Sequence, residues 1–107
     1  PAPTQAMRKE TADAVKEVLV YTVMGVESHA ARPKVVSAGG KTGTAQTGRF
    51  HENGEEIVEG WFVGFFPAEN PSYVMAVLCE DAENGAKDAS NTFREIVDQM
   101  TYRPPQE

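Results

Sequence analysis

With 107 residues the chain has room for a single hydrophobic core, burying on the order of 60–70% of its unfolded surface. Ten basic against sixteen acidic side chains leave a net charge of -6, which argues against nucleic acid or an anionic membrane as partner. Cys79 is the only cysteine, so an internal disulfide is excluded, and the apolar run Tyr73–Cys79 is too short to cross a bilayer.

Over residues 8–24, Ala12, Val15, Leu19 and Val23, with Val18 and Val26 beside them, recur at three- and four-residue spacing among Lys9, Glu10, Asp13, Lys16 and Glu17. That spacing predicts an amphipathic helix, stopped at Gly25 and followed by a loop over residues 27–33. Next comes the run Gly39, Gly40, Lys41, Thr42, Gly43, Thr44, Ala45, Gln46, where glycines, a lysine and two hydroxyls crowd together. If extended, its period of two puts Thr42 and Thr44 on one face, with the Lys41 stem able to bend round the edge beside them. Hydroxyls, an ammonium and edge N–H groups suit an anionic ligand, and Gly43, without a Cβ, would let another backbone approach.

Residues 48–56 contain Asn53-Gly54, a strong turn signal, so the run and its successor should form an antiparallel hairpin with a loop longer than two residues. Residues 61–66 are apolar almost throughout and should form an inner strand covered on both faces, with Gly60 and Gly64 marking a bend or close approach. The aromatics Trp61, Phe62, Phe65 and Phe66 read as core packing rather than a ligand platform. Residues 68–72 form a turn, and Tyr73–Cys79 returns as a third strand. After a polar stretch at 81–87, Ala89, Phe93, Ile96, Val97 and Met100 mark one face of a closing helix, with Asp88 placed to cap it. Residues 101–107, with Pro104-Pro105, should fray. The expected architecture is α/β (α+β): an antiparallel sheet of about three strands packed against an N-terminal and a C-terminal helix, without a second domain.

Three other readings are weaker. A P-loop would need glycine where Val35 stands and a helix after Thr44, but Gln46-Thr47-Gly48 leads into a polar loop. His29, His51 and Cys79 have no metal-ligand spacing, so no metal site is predicted. The acidic group around His51, Glu52, Glu55 and Glu56 reads as a solvated loop.

Lys41-Thr42-Gly43-Thr44 resembles the third motif of penicillin-binding proteins and serine β-lactamases. Its continuation sharpens the likeness: Ala45-Gln46, then Trp61 through Pro67, Asn70-Pro71, a β run, and a helix with Phe93-Arg94-Glu95-Ile96. The order resembles the C-terminal part of a class B penicillin-binding protein transpeptidase domain, over about residues 11–100. On that resemblance residues 1–107 would be a C-terminal fragment of such a domain, with any anchor and export signal far upstream. The absence of an initiator Met before Pro1 fits this.

The resemblance implies that Lys41 lines the cleft and that Thr42 and Thr44 bind the carboxylate of a peptide or β-lactam. Gly43 would permit the approach, and the backbone N–H of Thr44 would form half of an oxyanion hole. It also implies peptidoglycan stem peptides and β-lactams as partners of the full protein, no cofactor, and work at the extracytoplasmic face of the bacterial membrane. The nucleophile is missing: Ser28, Ser37, Ser72 and Ser90 are followed three residues on by Ala31, Gly40, Met75 and Phe93, so no S-x-x-K occurs, and no S-x-N either. The chain alone is therefore expected to be inactive, and to self-associate or leave an apolar patch where the missing part of the domain would pack. Alternatives are a fragment of a serine β-lactamase or D,D-carboxypeptidase, or a non-catalytic wall-binding or interaction module of the same fold. Thr44-Ala45-Gln46 favours the transpeptidase over the β-lactamase.

Overall fold

A computed structural model describes residues 2–103, and the Pro104-Pro105 pair lies outside the described residues. The elements follow in the order α1 (Lys9–Met24), β1 (Gly39–Phe50), β2 (Glu56–Phe66), β3 (Tyr73–Cys79) and α2 (Ala86–Thr101). The strands form one antiparallel sheet in sequential order, so β2 is central and β1 and β3 are edges.

Alternation along β2 decides where the core sits. Gly60, Phe62, Gly64 and Phe66 point to one face, joined by Val77 of β3, and α2 lays Ala89, Phe93 and Val97 against them. The Phe93 ring stands 4.6 Å from Phe62 and meets Phe66 edge-on at 6.2 Å, both within the range of favourable aromatic pairs. A Cβ on Gly64 would lie 2.7 Å from both the Phe62 and the Phe93 rings, so the glycine is what lets the aromatics close over the strand. The close approach expected at Gly64 is thus made by Phe93.

The opposite face differs from expectation. Trp61, Val63, Val74 and Leu78 are all exposed, Val74 to 78%, so β2 is an inner strand with only one face covered. The reason is geometric: α2 lies on the inner face, and α1 packs against β1 without reaching the other strands. Trp61, expected in the core, stands on this open face. The radius of gyration, 16.2 Å, exceeds the roughly 13 Å of a compact domain this long.

Both helices bury a narrower stripe than their patterns suggest. In α1 only Val23 is fully buried, while Ala12, Val15 and Val18, and Val26 just beyond the helix, are exposed. Arg8 stands at its N-cap without a side-chain hydrogen bond, and Gly25 ends it in a right-handed conformation, where a Cβ would press on the Tyr21 carbonyl oxygen at 2.5 Å. In α2, Ile96 and Met100 are exposed. Its N-cap is Gly85 at φ 59°, not Asp88; Asp88 sits in the first turn and accepts the Asn84 N–H at 3.0 Å. The hairpin loop is shorter than the sequence suggests, because β1 continues through an irregularity at Gly48 (φ 73°) to Phe50. Asn53 and Gly54 (φ 90°) do make the turn, the Asn53 side chain accepting the Glu55 N–H at 3.0 Å.

Phe93→Ala should destabilise the chain by about 3–5 kcal/mol, whereas Val18→Ala on the exposed side of α1 should change stability by no more than about 0.5 kcal/mol. Urea unfolding of the two variants measures the difference.

Candidate functional site

The strand carrying the lysine and threonines enters the sheet through Gly39 and Gly40, both buried. A Cβ on Gly40 would lie 2.5 Å from the Phe62 ring and 2.6 Å from the Val63 carbonyl oxygen, so the glycine lets β1 lie flush against β2. From there the register places Thr42 opposite Phe62 and Thr44 opposite Gly60, on the α2 side. Lys41 and Gly43, opposite Val63 and Trp61, belong to the open side.

The Lys41 stem bends round the edge. Its Nζ donates to the Thr42 carbonyl oxygen at 3.1 Å and reaches Thr42 Oγ1 at 3.4 Å, bringing ammonium and hydroxyl together on the strand's unpaired margin. Among the described residues no carboxylate pairs with Lys41; the ion pairs are Lys9–Asp13, His51–Asp81 and Arg94–Glu95. Thr44 is exposed, and its hydroxyl has no hydrogen-bond partner among the described residues. A Cβ on Gly43 would meet only Trp61 Cβ, at an ordinary 3.6 Å, so the chain's own packing does not demand glycine there. Three concavities, of about 540, 690 and 260 Å³, lie elsewhere and are lined by other residues than Lys41, Thr42, Gly43 and Thr44. The site is an open edge, not a pocket.

Ser37, the serine nearest the motif, is engaged elsewhere. Its hydroxyl donates to the Glu69 carboxylate at 3.0 and 2.9 Å, and its Oγ accepts the Ala68 N–H at 3.1 Å. This braces the turn between β2 and β3 against the approach to β1. The sequence gives no signal for the brace, since its partners lie more than thirty residues apart. The Glu69 carboxyl is held below the usual carboxylate range by a backbone hydrogen bond, the Ser37 hydroxyl and the Lys16 charge.

His29, His51 and Cys79 stay apart. His29 Nδ1 accepts the Ala31 N–H at 3.1 Å, His51 Nε2 pairs with Asp81 at 2.8 Å, and Cys79 is half-buried on β3. Burial pushes the His29 imidazole below its ordinary pKa.

A model of the penicillin binding protein transpeptidase domain matches residues 1–98. The peptidoglycan D,D-transpeptidase MrdA of Haemophilus influenzae is 32% identical over 77 residues, 63% of this chain and 12% of that protein. Penicillin-binding protein A from M. tuberculosis, solved as an imipenem acyl-enzyme complex, superposes with a TM-score of 0.68 at 25% identity, covering 92% of this chain and 21% of that one. The D,D-transpeptidase domain of a peptidoglycan glycosyltransferase from Eggerthella lenta superposes with a TM-score of 0.64 at 33% identity, covering 91% and 22%. The chain thus spans between 12% and 22% of the lengths of these relatives.

Acid should weaken the fold in two steps. His29 and Glu69 both have folded pKa values below their unfolded ones, so each stabilises the chain above its unfolded value and loses that contribution as pH falls through its folded value. His29 should act first, below about pH 6.5, and Glu69 below about pH 4.5. Unfolding followed against pH should lose the upper step in His29→Gln and show a smaller lower step in Glu69→Gln, where Asp13, lowered by its hydrogen bond from Lys9, still contributes.

Proposed function

Since this chain belongs to the penicillin-binding protein transpeptidase family, we propose that it supplies the carboxylate-holding edge of a peptidoglycan D,D-transpeptidase active site. The observation that carries this reading is the Lys41 ammonium beside Thr42 Oγ1 on an unpaired strand edge, with no carboxylate among the described residues to neutralise it. A donor stem peptide ending in D-Ala-D-Ala carries a terminal carboxylate, and a penicillin carries an equivalent one. Either would replace the missing counter-ion, gripped by the Thr42 and Thr44 hydroxyls and the Lys41 charge. Gly43, which the chain's own packing leaves free to vary, would admit the ligand backbone along the strand.

The reaction divides between this chain and residues outside it. A serine hydroxyl attacks the carbonyl of the D-Ala-D-Ala bond, its proton passing to a base, and the carbonyl oxygen becomes an oxyanion. The Thr44 N–H would donate one of the two hydrogen bonds that hold this oxyanion, the serine's own N–H the other. Collapse releases D-alanine and leaves an acyl-serine, which an amine of a neighbouring stem then attacks. Residues 1–107 would be the C-terminal part of that catalytic domain, working at the extracytoplasmic face of the membrane. The rest of the domain, carrying the serine, would pack on the open face at Trp61, Val63 and Leu78.

Fluorescent penicillin tests both halves of the reading. The isolated chain should give no covalent adduct by intact mass, because it has no S-x-x-K serine, and Ser37 is tied to Glu69 in the turn brace and not to Lys41. In the full-length protein, Lys41→Ala should slow acylation at least about tenfold, the scale of a lost charged hydrogen bond, with little change in thermal stability. Acylation at the parental rate would remove Lys41 from the site.

A further inference from the structure

Among the described residues the hydroxyl of Thr44 has no hydrogen bond to aim it, yet its surroundings are closely built. The loop between β3 and α2 crosses the back of the sheet immediately behind this residue. Ala82 donates its N–H to the Val58 carbonyl oxygen at 2.8 Å, and Asp81, at φ 50°, takes the His51 side chain at 2.8 Å from the hairpin side. These two ties set the first turn of α2 down on Gly60, the residue opposite Thr44 in the register. A Cβ on Gly60 would run into the Gly85 carbonyl oxygen and stand 3.2 Å from Ala82 Cβ. A Cβ on Gly85 would stand 3.3 Å from Thr44 Oγ1 and 3.6 Å from its Cγ2.

We infer that Gly60 and Gly85 are positioning residues for the Thr44 hydroxyl and so determine how the site discriminates ligands bearing a carboxylate. The inference rests on the carboxylate-holding role proposed above. A β-branched side chain has few χ1 choices, and the Gly85 backbone borders the space they occupy so closely that an added Cβ there would meet both Oγ1 and Cγ2 of Thr44. The wall's distance from the strand is fixed by the absence of a side chain at residue 60. An added methyl there must lift the first turn of α2 or tilt β1 and β2, and either movement alters the space in which Thr44 turns. Gly85, at φ 59°, occupies a conformation that side chains rarely adopt, so the wall is held in place by backbone shape as well as by space. Gly64 is equally crowded, but by the Phe62 and Phe93 rings, and serves the core instead.

The test compares acylation of the full-length protein by benzylpenicillin and by its methyl ester, which masks the carboxylate. Gly60→Ala should narrow the acid-to-ester rate ratio about tenfold, the scale of one hydrogen bond to a charged group. Val23→Ala, which opens the core beneath α1, should lower stability and leave the ratio unchanged. Thr44→Val separates the inference from the reading beneath it. If Thr44→Val keeps the parental ratio, Thr44 does not hold the carboxylate and both fall. If Thr44→Val narrows the ratio while Gly60→Ala does not, or if Val23→Ala narrows it as much as Gly60→Ala, the positioning role alone is overturned. Should Gly60→Ala fail to fold, Thr44→Ser decides, since it keeps the hydroxyl but loses the methyl that fills the space beside Gly85. Its ratio should narrow several-fold by the same scale, and a parental ratio would overturn the inference.

Discussion

The seating of Phe93 over Gly64 fixes the distance between α2 and the sheet, and most of the rest follows from that distance. With no Cβ at residue 64, the ring comes down between Phe62 and Phe66 and fills the middle of the core formed by the described residues. Once α2 is held there, its N-terminal turn must land near β1, because a straight helix across a narrow three-stranded sheet ends at the far edge. Gly60 receives it. One aromatic contact on β2 therefore places backbone beside the motif strand four residues further back along the same face.

β1 itself contributes little to that core. Its central residues are small or polar, it is an edge, and only its glycine entry is buried. The shape of the strand is imposed by β2 through Gly40, and by the Ser37–Glu69 brace just before it. This division suits a binding edge: polar groups stay free for a ligand because neighbouring residues do the work of holding them.

Much of this was legible in the sequence. Strand order and the two helices follow from periodicity and turn residues, and the pairing of Lys41 with Thr42 follows from stem length and a period of two. Coverage was not legible. Periodicity reports which residues are apolar but not what meets them, so Val15, Val18 and Trp61 read as core although their partners are not among the described residues. The start of α2 was misjudged for a local reason: Asp88 has the chemistry of a cap, but Gly85 alone fits the φ of 59° where the chain turns into the helix. Contacts between distant residues, Ser37 with Glu69 and Gly60 with Gly85, leave no trace in spacing at all.

The resting place of Lys41 bears on why this position takes lysine and not arginine. A compact ammonium at the end of a flexible stem can fold back over its own strand and donate to the next residue's carbonyl oxygen and hydroxyl while keeping a third proton outward. The side chain has then already given up much of its rotational freedom, which for a lysine amounts to about 2 kcal/mol, before any anion arrives. A planar guanidinium, rigid in its fork, could not make the same tight return and would extend away from the edge. The positive charge would still be present, but displaced from the hydroxyls and free to sample many orientations. Preorganisation, more than charge, is what the four methylenes of Lys41 supply.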